Sequence, residues 1–252
     1  MAMSKDAIQY LQESGIEPED RLIRLIDFDD YERWLVIDNE GRATEILPRV
    51  FTAKEPVLLN TLSGMVNYIK SNLERVNDKL ILQIVNEEIV SLMGTLETDG
   101  SREKLAVASA IIPGFSFDKY HDMEEFNIAL QSKFVPNDDR GILLKVVGNV
   151  SEVNVKTVGD DGVSQAVTIN QGVASKADVK VPNPVGLAPY RTFLEVAQPE
   201  SQFVFRMKDG PRAAIFEADG GAWRNQAIVN IREYFKEELS EEIEANRITI
   251  LA

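Results

Sequence analysis

Residues 181–206 read VPNPVGLAPYRTFLEVAQPESQFVFR, and the rest of the chain is best read outward from them. The stretch carries four of the ten prolines (Pro182, Pro184, Pro189, Pro199) and two arginines, with aromatic residues between them. Proline fixes its own φ and cannot donate to a sheet ladder, so Pro182, Pro184 and Pro189 describe a stiff, extended run. Two strands are predicted after it, Thr192–Ala197 and Gln202–Met207, broken at Gln198-Pro199-Glu200. A segment so constrained reads as a fixed backbone path against which other elements pack. By itself it carries no reaction.

Downstream, Phe203–Met207 and Ala213–Glu217 flank the turn Lys208-Asp209-Gly210-Pro211 and form a predicted hairpin. Asp219-Gly220-Gly221 then precedes a long helix, Ala222–Ile243. Its stripe is Ala227, Ile231, Tyr234 or Phe235, and Leu239, with Trp223 anchoring the first turn. The acidic end of that helix (Glu233, Glu237, Glu238, Glu241, Glu242, Glu244) reads as a solvated face. Ile248–Leu251 is a final strand.

Upstream, the clearest helix runs from about Asn60 to Val76, with Leu62, Val66, Ile69 and Leu73 on one stripe and Met65 broadening it. Leu80–Val85, Ile89–Leu96 and Leu105–Ile112 follow as strands joined by short turns, which implies an antiparallel meander. Phe126, Leu130 and Phe134 fall at steps of four in a helix over Glu124–Phe134. A further helical segment, Gly141–Val150, is capped by Asp138 or Asp139 and turns Leu143, Leu144 and Val147 inward. Glu152–Val158, Val163–Asn170 and Ala177–Val181 read as a hairpin about Gly159-Asp160-Asp161-Gly162 with an added strand. At the front, Ser4–Glu13 reads as a short helix. Arg21–Ile26, Trp34–Asp38 and Ala43–Leu47 look extended, the last two joined by the turn Asn39-Glu40-Gly41-Arg42. The expected fold is α+β: mainly antiparallel sheets of hairpins and meanders packed by two long amphipathic helices. Residues 1–252 are taken as one domain, and Pro136–Asp139 is the junction where two lobes would meet.

Composition narrows the function classes. The chain has 252 residues, 44% of them hydrophobic and 27% charged, which suits a folded soluble protein rather than a disordered one. No apolar run approaches a membrane span, and the start lacks the pattern of a signal peptide, so a cytoplasmic protein of a bacterial host is expected. The absence of cysteine excludes disulfides and thiolate chemistry. A formal charge of −14 gives no basic footprint for nucleic acid and disfavours anionic membranes.

Searches for catalytic patterns return little. The single histidine, His121, sits in Asp118-Lys119-Tyr120-His121-Asp122; it is a surface histidine or a general base oriented by Asp122, and the former is favoured. Asp27, Asp29, Asp30 and Glu32 read as a solvated loop before they read as a metal site. No phosphate loop, dinucleotide fingerprint or nucleophile elbow occurs. No catalytic residue, metal or cofactor is assigned. Arg191, Glu195, Arg206 and Glu217 fall in predicted strands, and Arg191 and Glu195, four apart, would share a sheet face. Such a row is paired internally or grips an anion through arginine's planar fork, internal pairing being favoured. Tyr190, Arg191, Glu195 and Arg206 are therefore the candidate ligand-binding residues.

Several motifs occur in a fixed order: Asp160-Asp161-Gly162, Ser164-Gln165, Pro182-Asn183-Pro184, Pro189-Tyr190-Arg191-Thr192-Phe193, Glu195, Gln198-Pro199, Phe203, Arg206 and Asp219-Gly220. The set resembles the YfdQ-like family of phage and prophage proteins, a domain of unknown function, from about Asn60 to the end. The resemblance implies a phage-derived protein encoded outside the virion structural genes, and no activity. The expected function is that of a non-enzymatic accessory protein, acting as a homo-oligomer, that binds a host protein or sequesters a small, nucleotide-like anion. A DNA mimic is a variant of the same reading. A self-assembling shell or ring is the alternative, and a metal-dependent phosphoesterase built on the aspartates and His121 ranks last.

Overall fold

The computed structural model describes residues 22–26, 32–37, 41–46, 53–73, 79–97, 100–149, 158–160, 165–171, 175–208, 210 and 212–252. The chain divides into two compact units, Met1–Thr52 and Ala53–Ala252. The predicted helix Ser4–Glu13, the acidic residues Asp27, Asp29 and Asp30, and the turn residues Asn39, Glu40, Asp161 and Gly162 lie outside the described residues. So does most of the strand predicted over Glu152–Val158.

In the first unit, β1 (Leu22–Ile26), β2 (Glu32–Ile37) and β3 (Ala43–Ile46) form an antiparallel sheet in that order. The β2–β3 hairpin is the one the turn chemistry predicted, and Gly41 supplies its positive φ of 76°.

The second unit opens with β4 (Val57–Leu59) and α1 (Leu62–Ser71). Thr61 caps α1 by accepting from the Gly64 amide, and Leu62, Met65, Val66 and Ile69 are buried as their spacing requires. The helix stops short of the predicted Val76. Asn72 adopts φ 43° and its amide bonds to the Ile69 carbonyl, so Leu73 leaves the stripe and is 72% exposed.

The meander is present as β5 (Leu80–Ile84), β6 (Ile89–Gly94) and β7 (Lys104–Ser109), each strand shorter than its apolar run. Two parallel edge strands complete the sheet: β4 beside β7, and β15 (Ile248–Leu251) beside β5. This is the one mixed sheet among the described residues; the other three are antiparallel.

Next come β8 (His121–Asp122), α2 (Met123–Lys133) and α3 (Asp138–Asn149). Asn137, rather than Asp138 or Asp139, caps α3, its Oδ1 accepting from the Arg140 amide at 2.8 Å. Asp139 instead accepts from the Gly186 amide at 2.7 Å, so the first turn of α3 grips the proline-rich stretch. The Pro136–Asp139 junction thus joins two helices inside the second unit. β9 (Val158–Asp160), β10 (Gln165–Gln171) and β11 (Ser175–Lys180) make a three-stranded sheet. β12 (Val185–Leu187), β13 (Ser201–Lys208) and β14 (Arg212–Glu217) make a four-stranded one with β8.

The strand predicted over Thr192–Ala197 does not form. The Gln198 side chain stands in for a neighbouring strand there. Its Oε1 accepts from the amides of Arg191 and Thr192, and its Nε2 donates to the carbonyls of Phe193 and Val196. The last helix is also broken: α4 (Ala222–Glu238) ends at Leu239, whose φ and ψ are −113° and 26°, and α5 (Ser240–Glu244) follows.

Two apolar clusters result. One joins α1, α4 and the five-stranded sheet around Leu82, Leu92, Ile231 and Phe235. The other joins α2, α3 and the four-stranded sheet around Phe126, Leu143, Phe203 and Phe205. The 181–206 stretch supplies Val185 and Leu187 to the second and Phe193 to the first. It is the path that serves both cores. The α+β class read from the sequence is the class observed.

Candidate functional site

Where the stretch passes from one core to the other, it leaves a cleft. The end of α2 clips it in place: the Val135 amide donates to the Ala188 carbonyl and the Tyr190 amide to the Lys133 carbonyl. Pro189 bridges to Phe134. Arg191, the next residue but one, is thereby directed inward and is only 6% exposed.

Its guanidinium is engaged by short contacts at both terminal nitrogens. Nη1 donates to Glu217 Oε1 at 2.6 Å, and Nη2 donates to Ser201 Oγ. The Cζ atom lies 3.8 Å from the ring centroid of Trp223, with the rings of Phe203 and Phe117 at 5.6 and 5.7 Å. Burial pulls the Arg191 pKa down to about 10, against the pull of Glu217 and Asp219, so the cation remains charged at neutral pH. Ser201 passes the contact on to Asp219. Burial would raise Asp219, but hydrogen bonds from the Gly221 amide and the Ser201 hydroxyl, with the charge of Arg191, hold it below the usual carboxylate range.

Asp219 also shapes the start of α4. Gly220 and Gly221 have φ of 63° and 82°, a left-handed pair that side chains resist, and they bring Trp223 down onto Arg191. Arg224 follows. Its Nε is 3.1 Å from Glu87 Oε1 and its Cζ is 4.7 Å from the Trp223 ring. The Glu87 backbone is tied from the other side, its carbonyl accepting from Thr192 Oγ1 at 2.5 Å.

Glu87, Arg191, Glu217, Trp223 and Arg224, with Phe115, Phe117 and Tyr190, line a cleft of about 400 Å³. Its walls are aromatic and its charges mixed: Glu87, Glu88, Asp118 and Glu217 against Lys133, Arg191 and Arg224. Lys133 Nζ donates to the Gly114 carbonyl. Arg191 Nε and Trp223 Nε1 are both buried and, among the described residues, hydrogen-bond to no protein group.

Of the four residues singled out in the sequence, Tyr190 and Arg191 line this cleft. Glu195 does not share a strand face with Arg191. It accepts from the Leu62 and Ser63 amides at 2.7 and 2.8 Å and so holds the N-terminus of α1. Arg206 lies on β13 on the face opposite Phe203, Phe205 and Met207, and is not part of the cleft lining. The charged row expected from strand spacing is therefore dispersed. Sequence reasoning makes Trp223 a packing anchor, leaves Glu87 within the short turn Asn86-Glu87-Glu88 between the first two meander strands, and passes over Arg224. The one signal that could have found them is an aromatic–arginine pair directly after Asp-Gly-Gly and Ala222.

His121 lies in β8, its Nε2 donating to the Ser116 carbonyl at 2.8 Å and its ring stacked on Phe115. Asp122, the expected orienting partner, caps α2 through the Glu125 amide. Ser201 is 2% exposed, which suits a structural bridge and not a nucleophile. Among the described residues no three His, Asp or Glu side chains group to hold a metal, and no helix is long and apolar enough to cross a membrane. No family model, curated protein or solved structure matches the chain.

Proposed function

We propose that the protein is a phage-derived accessory protein that acts by binding, and that the cleft at Tyr190, Arg191, Trp223 and Arg224 is where it binds. The observation that carries this reading is an aromatic-walled cavity of about 400 Å³ lined by Arg191 and Trp223, whose Nε and Nε1 donors are buried and meet no acceptor among the described residues. Ligand clefts fall in the range of roughly 300–1,000 Å³ and combine apolar walls with a few fixed polar groups. The general-base pairing considered for His121 and Asp122, by contrast, is not assembled: His121 Nε2 donates to the Ser116 carbonyl and Asp122 caps α2.

On this reading the protein works in the cytoplasm of a bacterial host, engaging a host protein or a small molecule there. Native mass spectrometry of gently purified protein tests it, with the Trp223→Ala variant in parallel. A bound mass present in the parent and lost in a still-folded variant supports the reading. A bound mass that persists in the variant, or a bare chain in both, counts against it. A bare particle of many copies would instead favour self-assembly.

A further inference from the structure

Resting on that reading of the cleft, we infer that its ligand carries a guanidinium group, and that Arg224 is a built-in competitor occupying the same place. The cleft holds a cation receptor that is fixed and an occupant that is not. The receptor is the Trp223 ring, on a residue 5% exposed, together with the Glu87 carboxylate, whose side chain is 15% exposed and whose backbone is tied to Thr192. The occupant is Arg224, 51% exposed, whose guanidinium is held among the described residues by that ring and that carboxylate. It lies across Gly221, where a Cβ would come within 2.6 Å of Nη1. Rotation of one surface side chain frees the Glu87 carboxylate and Arg224's place on the ring together, while Arg191 keeps its own place against that ring.

Charge points the same way. Arg191 is answered by Glu217, and Lys133 is turned to a backbone carbonyl. Glu88 and Asp118, both exposed and both lining the cleft, take part in no described ion pair. The lining has four carboxylates and three cations, and the chain carries −14. An arriving anion would meet this field unfavourably and a cation favourably. A planar guanidinium suits the site better than an ammonium, because it stacks on indole and meets a carboxylate with two parallel bonds. The anionic, nucleotide-like ligand expected from Arg191 and Arg206 has no comparable seat: both terminal nitrogens of the first are engaged by Glu217 and Ser201, and the second is not part of the cleft lining.

The guanidinium could belong to an arginine side chain of a partner protein or to a free guanidino compound. Titration calorimetry with a Gly-Arg-Gly peptide, agmatine and AMP separates the cases, with the Trp223 indole N–H followed by NMR and assigned through Trp34→Phe. Arg224→Ala should bind the arginine probes about tenfold more tightly than the parent, as expected when a competitor fills the site roughly nine-tenths of the time. Glu87→Gln should weaken them. Peptide binding tighter than agmatine assigns a protein partner, and the reverse a free compound. Unchanged or weaker binding by Arg224→Ala overturns the competitor. AMP shifting the Trp223 signal while arginine probes do not would overturn the guanidinium and leave the cleft as a binding site. No shift with any probe removes both.

Discussion

Two guanidiniums meet the ring of Trp223, and they differ in little except burial. Arg191 lies 3.8 Å from the ring centroid, pairs with Glu217 and has a side chain 7% exposed. Arg224 lies at 4.7 Å, pairs with Glu87 and is 51% exposed. The same chemistry is structural in one place and exchangeable in the other. At the inner end, one cation ties the irregular stretch at 191 to β13 through Ser201, to β14 through Glu217 and to α4 through Trp223. At the mouth, the arginine ties α4 to one turn residue and is free to leave.

The largest expected effect breaks the inner end. Arg191→Ala should cost about 3 kcal/mol in urea denaturation, because it strips Glu217 and Ser201 of their partner and opens a void against three rings. Arg191→Met should recover only the share of that loss that comes from the void, since it refills the space against the rings but leaves Glu217 and Ser201 without their partner. With its folded value lowered to about 10 by burial, Arg191 sheds its proton more readily when folded, so its burial works against stability at all pH values below 10 and is relieved only above that. A loss under about 1 kcal/mol for Arg191→Ala would erase the distinction between the two ends.

Next in size is Glu195→Ala. Sequence spacing sets Glu195 beside Arg191, whereas the fold gives it to α1, where each carboxylate oxygen accepts one amide. Loss of this cap should cost about 1–2 kcal/mol, seen in the same denaturation experiment. Cleft binding should be unaffected, and a change in it would join the two regions that the structure separates.

That pair of residues also marks how far the sequence could be read. Helical stripes at Leu62, Val66 and Ile69, and at Phe126, Leu130 and Phe134, were legible because burial on one helix face imposes a local period. The meander of β5 to β7 was legible as three short apolar runs separated by turns. Thr192–Ala197 misled because β-branched and apolar residues suggest a strand, while the groups satisfying its backbone come from one glutamine side chain, an arrangement that no periodicity encodes. Leu73 misled because it keeps the helical spacing beyond the residue that ends the helix. The cleft was the least legible part. Glu87, Asp118, Arg191, Glu217 and Trp223 are brought together from distant loops, a strand end and a helix start, and their separation along the chain carries no signal.

Asp219→Asn probes the link between the two ends, with an expected cost of about 0.5–1 kcal/mol for a charge beside a helix N-terminus. Asp219 titrates below its ordinary value when folded, so its contribution is present above the unfolded value, near pH 4, and is lost as pH falls through the depressed folded value. The difference between parent and variant should therefore be full at about pH 6 and shrink on acidification below the unfolded value. A difference independent of pH would assign the effect to shape and not to charge.

The smallest expected effect is the most informative about the comparison. Arg224→Ala should change stability by less than about 0.5 kcal/mol, because an ion pair with one half-exposed partner gains little over hydration. Trp223 should become more accessible, read as stronger acrylamide quenching in the Trp34→Phe background, where it is the remaining tryptophan. Stability held constant while the ring opens is the signature of an occupant. If Arg224→Ala destabilises the fold as much as Arg191→Ala does, then the mouth is built like the interior, and burial is not what separates the two arginines.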